Sequence, residues 1–316
     1  MPSNAPTFLI IGGANIDITG HACTPPEIIA DSHPGTITSH HGGVARNIAE
    51  NLARLDCQIR LISTFGDCQN SHALKDKLAG LDIMLTECLT VANHSADCYL
   101  SLHHPDGELI SAINQMPLID RLDSRFLKTK EAAITQADII IIDANLPADS
   151  IAIIAEMKSE KQLLCGDCVS AHKAMRFAPY LDAFDMLKGN FDEACTLADM
   201  PATTSLNKLA DTFLAKGLSH ILLSHGSSGF CYGNKDETIN QPALEAVAFT
   251  QSVNMIRAEN ATLSGAGDAL LAGALFALSN QQPPAIIAMM AAKAAYYATL
   301  SQAPVNPFLT KEHLTE

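Results

Sequence analysis

The chain is poor in basic residues. Its 316 residues include 20 Lys and Arg against 34 Asp and Glu, which gives a net charge of −14. Proteins that bind polyanions usually carry a basic surplus, so this balance argues against a nucleic-acid partner. No apolar stretch is long enough to span a membrane, and residues 1–6 lack the charged and apolar regions of a secretory signal. We therefore expect a cytoplasmic protein without a membrane or nucleic-acid partner.

Two common phosphate-binding motifs are also missing. No Gly-x-x-x-x-Gly-Lys-Ser/Thr run occurs, which excludes a Walker-type NTPase. Residues 10–17 follow an apolar run as a dinucleotide fingerprint would, but they lack Gly-x-Gly-x-x-Gly spacing, so a Rossmann-type oxidoreductase is a distant alternative. Nine cysteines, an odd number, indicate reduced thiols, and the Cys165–Cys168 pair has no neighbouring ligands that would complete a zinc site.

Short β-rich runs alternate with helical segments, which is typical of a parallel sheet covered by helices. The predicted strands are 8–11, 59–65, 139–143, 162–165, 186–188 and 220–224. The predicted helices are 44–55, 71–79, 148–157, 191–198, 206–215, 269–276 and 284–300. Residues 17–41 and 95–113 break this rhythm with Thr, Ser, His and β-formers, and the second segment carries the hairpin signal 104–107. The length fits one large α/β domain or two smaller ones.

The run Thr-Leu-Ser-Gly-Ala-Gly-Asp at 262–268 carries the strongest chemical signal. Gly265 and Gly267 allow a ligand to approach the backbone, and the unpaired N–H groups of a first helical turn favour an anion. We expect Asp268 to stay ionised among these donors and to take a proton from a hydroxyl that attacks a bound phosphate chain. In the alternative interpretation, Asp268 only caps the helix and the glycines only make a turn.

A second glycine pair lies more than two hundred residues upstream. Gly42 and Gly43 lead directly into a predicted helix, whose apolar stripe consists of Val44, Ile48, Leu52 and Leu55. Arg46 and Asn47 lie off that stripe in the first turn. We therefore expect both side chains to point toward whatever the glycine turn admits.

Gly-Gly-x-x-x-Asn-x-Ala at 42–49 and Gly-Ala-Gly-Asp at 265–268 resemble the two signatures of the ribokinase-like, or phosphofructokinase-B type, carbohydrate and nucleoside kinases. The resemblance implies a kinase that uses ATP and Mg²⁺ and folds as a three-layer α/β sandwich with a mostly parallel central sheet. It implies one domain over residues 1–316. It also implies a small β lid, formed by 17–41 and 95–113, that covers the sugar and joins two copies as a homodimer.

Further segments are similar to those members of the family that phosphorylate pseudouridine. They are Ala-Asn-Ile-Asp at 14–17, Asp-Ser-His-Pro-Gly at 31–35, the run 42–49, Tyr-Leu-Ser-Leu at 99–102, Gly-Glu at 107–108 and Ala-Ile-Asn at 112–114. This similarity implies transfer of the γ-phosphoryl group of ATP to the 5′-hydroxyl of pseudouridine. The alternatives are a kinase for another nucleoside or for ribose, and a catalytically silent member that binds a nucleoside.

The resemblance assigns the nucleoside side of the site. It implies that Asp17 grips the ribose hydroxyls, with Gly43 and Asn47 alongside and Gly42 next to them. By position alone, Asp17 could equally be a strand-end cap. Candidates for reading the nucleobase are Asn15 and Asn114, each of which could equally serve as a turn or cap residue.

The resemblance also assigns the nucleotide side. Asp268 is the implied base, with an anion hole of Gly265, Ala266 and Gly267. Asn190 and Glu193 are implied to orient Mg²⁺ through water. The implied adenine-nucleotide loop contains Ser224, Gly226 and Gly229.

The chain departs from the family pattern at several positions. Thr262 stands where the family usually has an Asp, six residues before the implied base, so we expect little dependence on K⁺. Ser264 replaces a usual Thr. Cys168 and Gly189 replace prolines of the family's Asp-Pro and Lys-Pro-Asn runs, and we expect altered loop stiffness there rather than lost chemistry.

Overall fold

The computed structural model of the protein describes residues 5–24, 31–106, 108–244 and 264–316. Thr262, on which the K⁺ expectation depends, lies outside these residues. The strands are β1 Thr7–Ile11, β2 Asn15–Ala22, β3 Gly35–Gly42, β4 Gln58–Ile62, β5 Thr64–Phe65, β6 Leu89–Thr90, β7 Cys98–His103, β8 Leu109–Gln115, β9 Ile139–Asp143, β10 Leu163–Asp167, β11 Met186–Asn190, β12 His220–Ser224, β13 Phe230–Asn234 and β14 Thr238–Gln241.

The α-helices of the described residues cover much of the remaining chain. They are α1 Val44–Arg54, α2 Gln69–Ala79, α3 Ser124–Lys128, α4 Glu131–Gln136, α5 Ala148–Met157, α6 Ala171–Ala174, α7 Phe191–Ala198, α8 Leu206–Ala215, α9 Ala266–Ser279, α10 Pro284–Ala298 and α11 Glu312–Thr315. Short 3₁₀ turns lie at Ile119–Arg121, Ala178–Ala183 and Gly226–Ser228. None of the helices within the described ranges has both the length and the apolar character needed to cross a membrane.

The central sheet has eight strands in the order β14-β13-β12-β11-β10-β9-β1-β4. From β4 to β12 all pairings are parallel, whereas β13 and β14 pair in the antiparallel sense. The carboxyl ends of the parallel strands therefore meet at one edge, which is where open α/β sheets bind ligands.

Helices cover both faces of this sheet. Side chains alternate along β1, so Phe8 and Ile10 pack in one apolar core with α1, α9 and α10, whereas Leu9 and Ile11 pack in a second core with α5, α7 and α8. The run Ile139–Asp143 is buried along its whole length, as expected for a strand covered on both sides. The three-layer sandwich with a mostly parallel sheet is confirmed.

The two segments that break the alternation form a separate sheet, in the order β3-β2-β7-β8. One face carries the row His40, Asp17, Tyr99 and Asn114, which are paired across the four strands. The other face carries apolar side chains that remain exposed. This sheet, called the lid below, matches the predicted segments 17–41 and 95–113 closely.

The sequence prediction was wrong in one strand. Residues 59–65 do not form a single strand, because the chain leaves the central sheet after Ile62 and continues as β5, which pairs with β6. At the break, the Ser63 hydroxyl donates to the carbonyl of Gly12 at 2.6 Å. The break thus ties β4 to the turn that follows β1.

Candidate active site

The glycine turn before α9 adopts a conformation that excludes other residues. Gly265 caps the helix with φ 80°, and a Cβ there would lie 1.9 Å from the carbonyl oxygen of Pro304. Asp268 follows as the third helical residue, an acidic group in the first turn. Its Oδ2 accepts a hydrogen bond of 2.7 Å from Nδ2 of Asn47, 221 residues away. The carboxylate therefore also joins α9 to α1, which a helix cap alone would not require.

The glycine pair before α1 brings the backbone close to two other segments. Gly43 has φ 100°, and a Cβ there would lie 2.4 Å from the carbonyl oxygen of Gly13. A Cβ on Gly42 would lie 2.1 Å from Oδ2 of Asp17. The absence of both side chains therefore lets the Asp17 carboxylate and the β1–β2 turn pack against the start of α1.

Burial decides the protonation of Asp268. The residue is 7% exposed, and this desolvation raises its pKa to about 7, although the Lys188 charge and the Asn47 hydrogen bond oppose the shift. The direction of this shift runs against the expectation that the carboxylate stays ionised among the donors of the helix start. A base with a pKa near the working pH is well matched to proton transfer.

Three further polar groups were not predicted as site residues. The Lys188 ammonium lies 2.9 Å from Oδ2 of Asp167 and 2.9 Å from where a Cβ on Gly267 would lie. Asp143 accepts hydrogen bonds from the backbone N–H groups of Gly13 at 2.8 Å and Ala45 at 3.1 Å. The sequence could have indicated these three residues by their position, because all of them lie at or near the carboxyl ends of neighbouring parallel strands.

Asn190 and Glu193 form a capping box at the start of α7. Oδ1 of Asn190 accepts from the Glu193 backbone N–H at 2.9 Å, and the Glu193 carboxylate accepts from the backbone N–H and from Nδ2 of Asn190 at 2.8 and 2.9 Å. Both carboxylate oxygens are thus engaged, and no group of three or more His, Cys, Asp or Glu side chains among the described residues could hold a metal directly. The role of this pair in holding Mg²⁺ through water stays a prediction.

A mainly apolar cavity of about 520 Å³ lies beside the first turn of α9. Small and apolar residues of α9, α10 and the β12–β13 loop form most of its wall. The wall includes the predicted Ser224, Gly226, Gly229, Ala266 and Gly267, together with Ser227, Phe230, Ala243, Leu244, Leu270, Ala292, Ala295, Tyr296, Thr299 and Leu300. The structure thus brings the predicted nucleotide loop and part of the anion hole together.

A second cavity, of about 650 Å³, lies under the polar face of the lid and reaches Ser264 at the start of the α9 turn. Its wall contains Asp17 and His40. Asn15 lies behind Asp17 and donates to its Oδ1 at 2.6 Å. Asn114 shares the lid face of Asp17 but lies exposed on the edge strand, outside the wall of this cavity.

The burial of Asp17 affects its charge. Desolvation raises the pKa of Asp17, while the hydrogen bond from Asn15 and the charge of Arg46 lower it. A half-buried carboxylate with these partners can accept hydrogen bonds from hydroxyl groups, and such charge-assisted bonds are stronger than neutral ones.

The chain is similar to known kinases over most of its length. A pseudouridine kinase of Escherichia coli K12 is 31% identical over 267 residues, which cover 84% of this chain and 81% of the relative. A guanosine-inosine kinase of Exiguobacterium acetylicum is 24% identical, over 86% of this chain and 88% of the relative. The structure of an Arabidopsis thaliana ribokinase complexed with ribose and ATP superposes with a TM-score of 0.77 at 17% identity, over 98% of both chains. Residues 8–311 match the pfkB family of carbohydrate kinases, and the chain belongs to this family.

Proposed function

We propose that this kinase transfers the γ-phosphoryl group of ATP to the 5′-hydroxyl of pseudouridine. The main support is the position of Asp268 at the start of α9. Ala266 and Gly267 of the same turn line the apolar cavity, whereas Ser264 lines the polar cavity under the lid. A donor nucleotide in the first cavity and an acceptor nucleoside in the second would therefore approach each other at the buried carboxylate.

In the proposed reaction, the 5′-oxygen forms a bond to the γ-phosphorus while the bond between that phosphorus and the β,γ-bridging oxygen breaks. The hydroxyl proton passes to the Asp268 carboxylate, and ADP leaves. The backbone N–H groups of Gly265, Ala266 and Gly267 and the adjacent Lys188 ammonium stabilise the charge on the transferring group. Mg²⁺, held through water by Asn190 and Glu193, would supply further positive charge at the phosphates.

The substrate assignment is supported by the Escherichia coli relative, which is named a pseudouridine kinase. Pseudouridine differs from uridine by a C–C glycosidic bond and an additional ring N–H. An acceptor for that N–H would be left unpaired when uridine binds, which disfavours uridine. Asn15 and Asn114 were predicted as this acceptor from the sequence, but neither lines the lid cavity.

A purine nucleoside is the second candidate. It is favoured by the guanosine-inosine kinase relative and by a lid cavity of about 650 Å³, which can hold a two-ring base.

We also propose that the exposed apolar face of the lid joins two copies as a homodimer.

The deciding experiment is side-by-side turnover of pseudouridine, uridine, adenosine, inosine and ribose with ATP at matched concentrations. We expect pseudouridine to exceed uridine in kcat/KM by up to about 10⁴-fold, since a site built around a hydrogen bond rejects the analogue that lacks it. The Asp268→Asn variant, purified in parallel, controls for a contaminating kinase. Equal or faster turnover of uridine or ribose would leave only the family assignment, and binding without turnover would indicate a silent sensor.

A further inference from the structure

Helix α1 contains a fully buried ion pair beside the site. The Arg46 side chain is 1% exposed and that of Glu50 is 0% exposed, and Nη2 of Arg46 lies 2.9 Å from Oε2 of Glu50. Removing two charges from water is costly, so a buried pair is weak evidence for stabilisation and requires another explanation.

Arg46 also controls an amide in the site. Its Nη1 donates to Oδ1 of Asn47, and Nδ2 of the same amide donates to Oδ2 of Asp268 at 2.7 Å. The flipped amide would point an oxygen at the carboxylate and an N–H₂ group at the guanidinium, and both contacts would be repulsive. The guanidinium therefore selects the amide orientation that donates to Asp268.

A purely structural role explains these contacts less well. Glu50 already pairs with Arg54 inside α1, at 2.8 Å, and joins α1 to α2 through Lys77, at 3.1 Å. Nε of Arg46 is buried without a hydrogen-bond partner among the described residues. The guanidinium thus leaves one donor unused while its fork engages Asn47 and Glu50.

The geometry points to Arg46, anchored by Glu50, as a positioning residue for the base Asp268. Arg46 fixes the orientation of the Asn47 amide, which donates to Oδ2 of the Asp268 carboxylate. Oδ1 of Asp268 is then left to accept the proton of the substrate hydroxyl. This inference rests on the proposed phosphoryl transfer. It predicts an effect on kcat rather than on KM for the nucleoside.

The charge of Arg46 also bears on the protonation of Asp268. Among the described residues, Lys188 and the Asn47 hydrogen bond lower the pKa of Asp268, whereas burial and the carboxylates of Asp167 and Asp143 raise it. Arg46 interacts electrostatically with Asp268 as well. Loss of the Arg46 charge should raise the pKa of Asp268 further.

Two variants separate charge from geometry. Arg46→Met removes both the charge and the forked hydrogen bonds. We expect kcat to fall about 10- to 100-fold, the range for partners that orient a site residue, while KM changes little. The acidic limb of the kcat–pH profile should move to higher pH. Arg46→Lys keeps the charge but loses the fork, so kcat should fall while the limb stays in place. Lys158→Met, which breaks an ion pair with Asp185 elsewhere, is the matched control and should behave as wild type.

A titration of the Asp268 carboxyl by carbon NMR, assigned with Asp268→Asn, makes the test independent of turnover. A higher pKa in Arg46→Met supports the inference even if no nucleoside in the panel reacts, a result that would count against the proposed function alone. Unchanged kcat and unchanged pKa in a folded Arg46→Met would overturn it, as would an equal loss in Lys158→Met. If Arg46→Met fails to bind ADP or to fold, Glu50→Gln replaces it, and wild-type kcat and pKa in that variant would overturn the inference equally.

Discussion

The cavity proposed for the nucleotide and the cavity under the lid are lined by different kinds of residue. The first has walls of Gly, Ala, Leu and Tyr from helices and a loop of the central sandwich, whereas the second has walls of Asp, Thr and His from the lid strands β2 and β3 and neighbouring loops. Ala266 and Gly267 line the first cavity and Ser264 lines the second, so both cavities border the turn at the start of α9. Substitutions in the lid cavity should therefore change substrate affinity, and substitution of Asp268 beside this turn should change the rate.

The lid shows a similar contrast between its own faces. Its inner face carries Asp17 and Thr38, which line the cavity, and its outer face carries Ile37 and Ile113, which are 80% and 63% exposed. A contiguous exposed apolar surface is typical of an interaction site. In the proposed function the inner face binds the acceptor nucleoside and the outer face joins two copies.

The largest expected effect is that of Asp268→Asn, which removes the proposed base in the first turn of α9. Loss of general-base catalysis and of hydroxyl alignment should lower kcat by about 10³-fold or more while ADP affinity stays nearly unchanged. Steady-state kinetics and calorimetry measure the two quantities, and Asp236→Asn on an exposed turn is the control. Turnover above about a tenth of wild type would mean that Asp268 does not act as the base.

Asp17→Ala should affect only the lid cavity. Each charge-assisted hydrogen bond to a ribose hydroxyl contributes about 1.5–3 kcal/mol, so nucleoside affinity should fall roughly 10- to 100-fold. ADP affinity, measured by the same calorimetric titration, should stay as in wild type. Unchanged nucleoside affinity would remove Asp17 from the sugar site.

The pH dependence of kcat/KM tests the raised pKa of Asp268. Since the pKa of Asp268 is raised to about 7, kcat/KM should rise about tenfold per pH unit on the acidic side and level off above that pKa. An acidic limb near the usual carboxyl pKa of 3.8 would contradict the burial argument.

The raised pKa of Asp268 also predicts that Asp268→Asn stabilises the folded protein at high pH, although it lowers activity. Between pH 3.8 and about 7 the folded chain binds more protons at Asp268 than the unfolded chain does, so the stability of the wild type falls as the pH rises through this window. Asp268→Asn escapes this loss and should gain Tm at pH 8 relative to wild type, with no such gain below pH 3.8. Thermal melts of both proteins at the two pH values decide the point.

Substitutions on the outer face of the lid test the proposed homodimer. A double variant, Ile37→Lys and Ile113→Lys, places like charges in the proposed interface and should convert a homodimer to a monomer in sedimentation experiments. Phe308→Lys, at an apolar side chain that is 70% exposed outside the lid, is the matched control. A wild-type protein that sediments as a monomer would contradict the proposed dimer directly.

The smallest expected effect concerns K⁺. The family resemblance implies a carboxylate at position 262, and the neutral hydroxyl of Thr262 would be a weaker cation ligand. Exchanging Na⁺ for K⁺ at constant ionic strength should therefore change turnover less than about twofold. A steep, saturable rise with K⁺ would show that backbone carbonyls make a site without the carboxylate.

Strongly patterned local segments were predictable. The strand Ile139–Asp143 and the helices Ala148–Met157, Phe191–Ala198 and Leu206–Ala215 have the predicted bounds. The strand is one continuous apolar run, and two of the helices begin at a capping side chain, Asn190 and Ser205. The strand predicted over 59–65 failed because its break depends on Ser63, whose partner Gly12 is distant in sequence.

The two glycine turns and the residue types after them could be recognised from the amino-acid order alone, because a positive φ and a close backbone approach admit only glycine. Tertiary structure decided what those residues do. The hydrogen bond of Asn47 to Asp268 joins helices 221 residues apart, and the raised pKa of Asp268 comes from burial by surrounding elements. Contacts between distant segments and the exclusion of water arise only when the chain packs, so no local pattern encodes them.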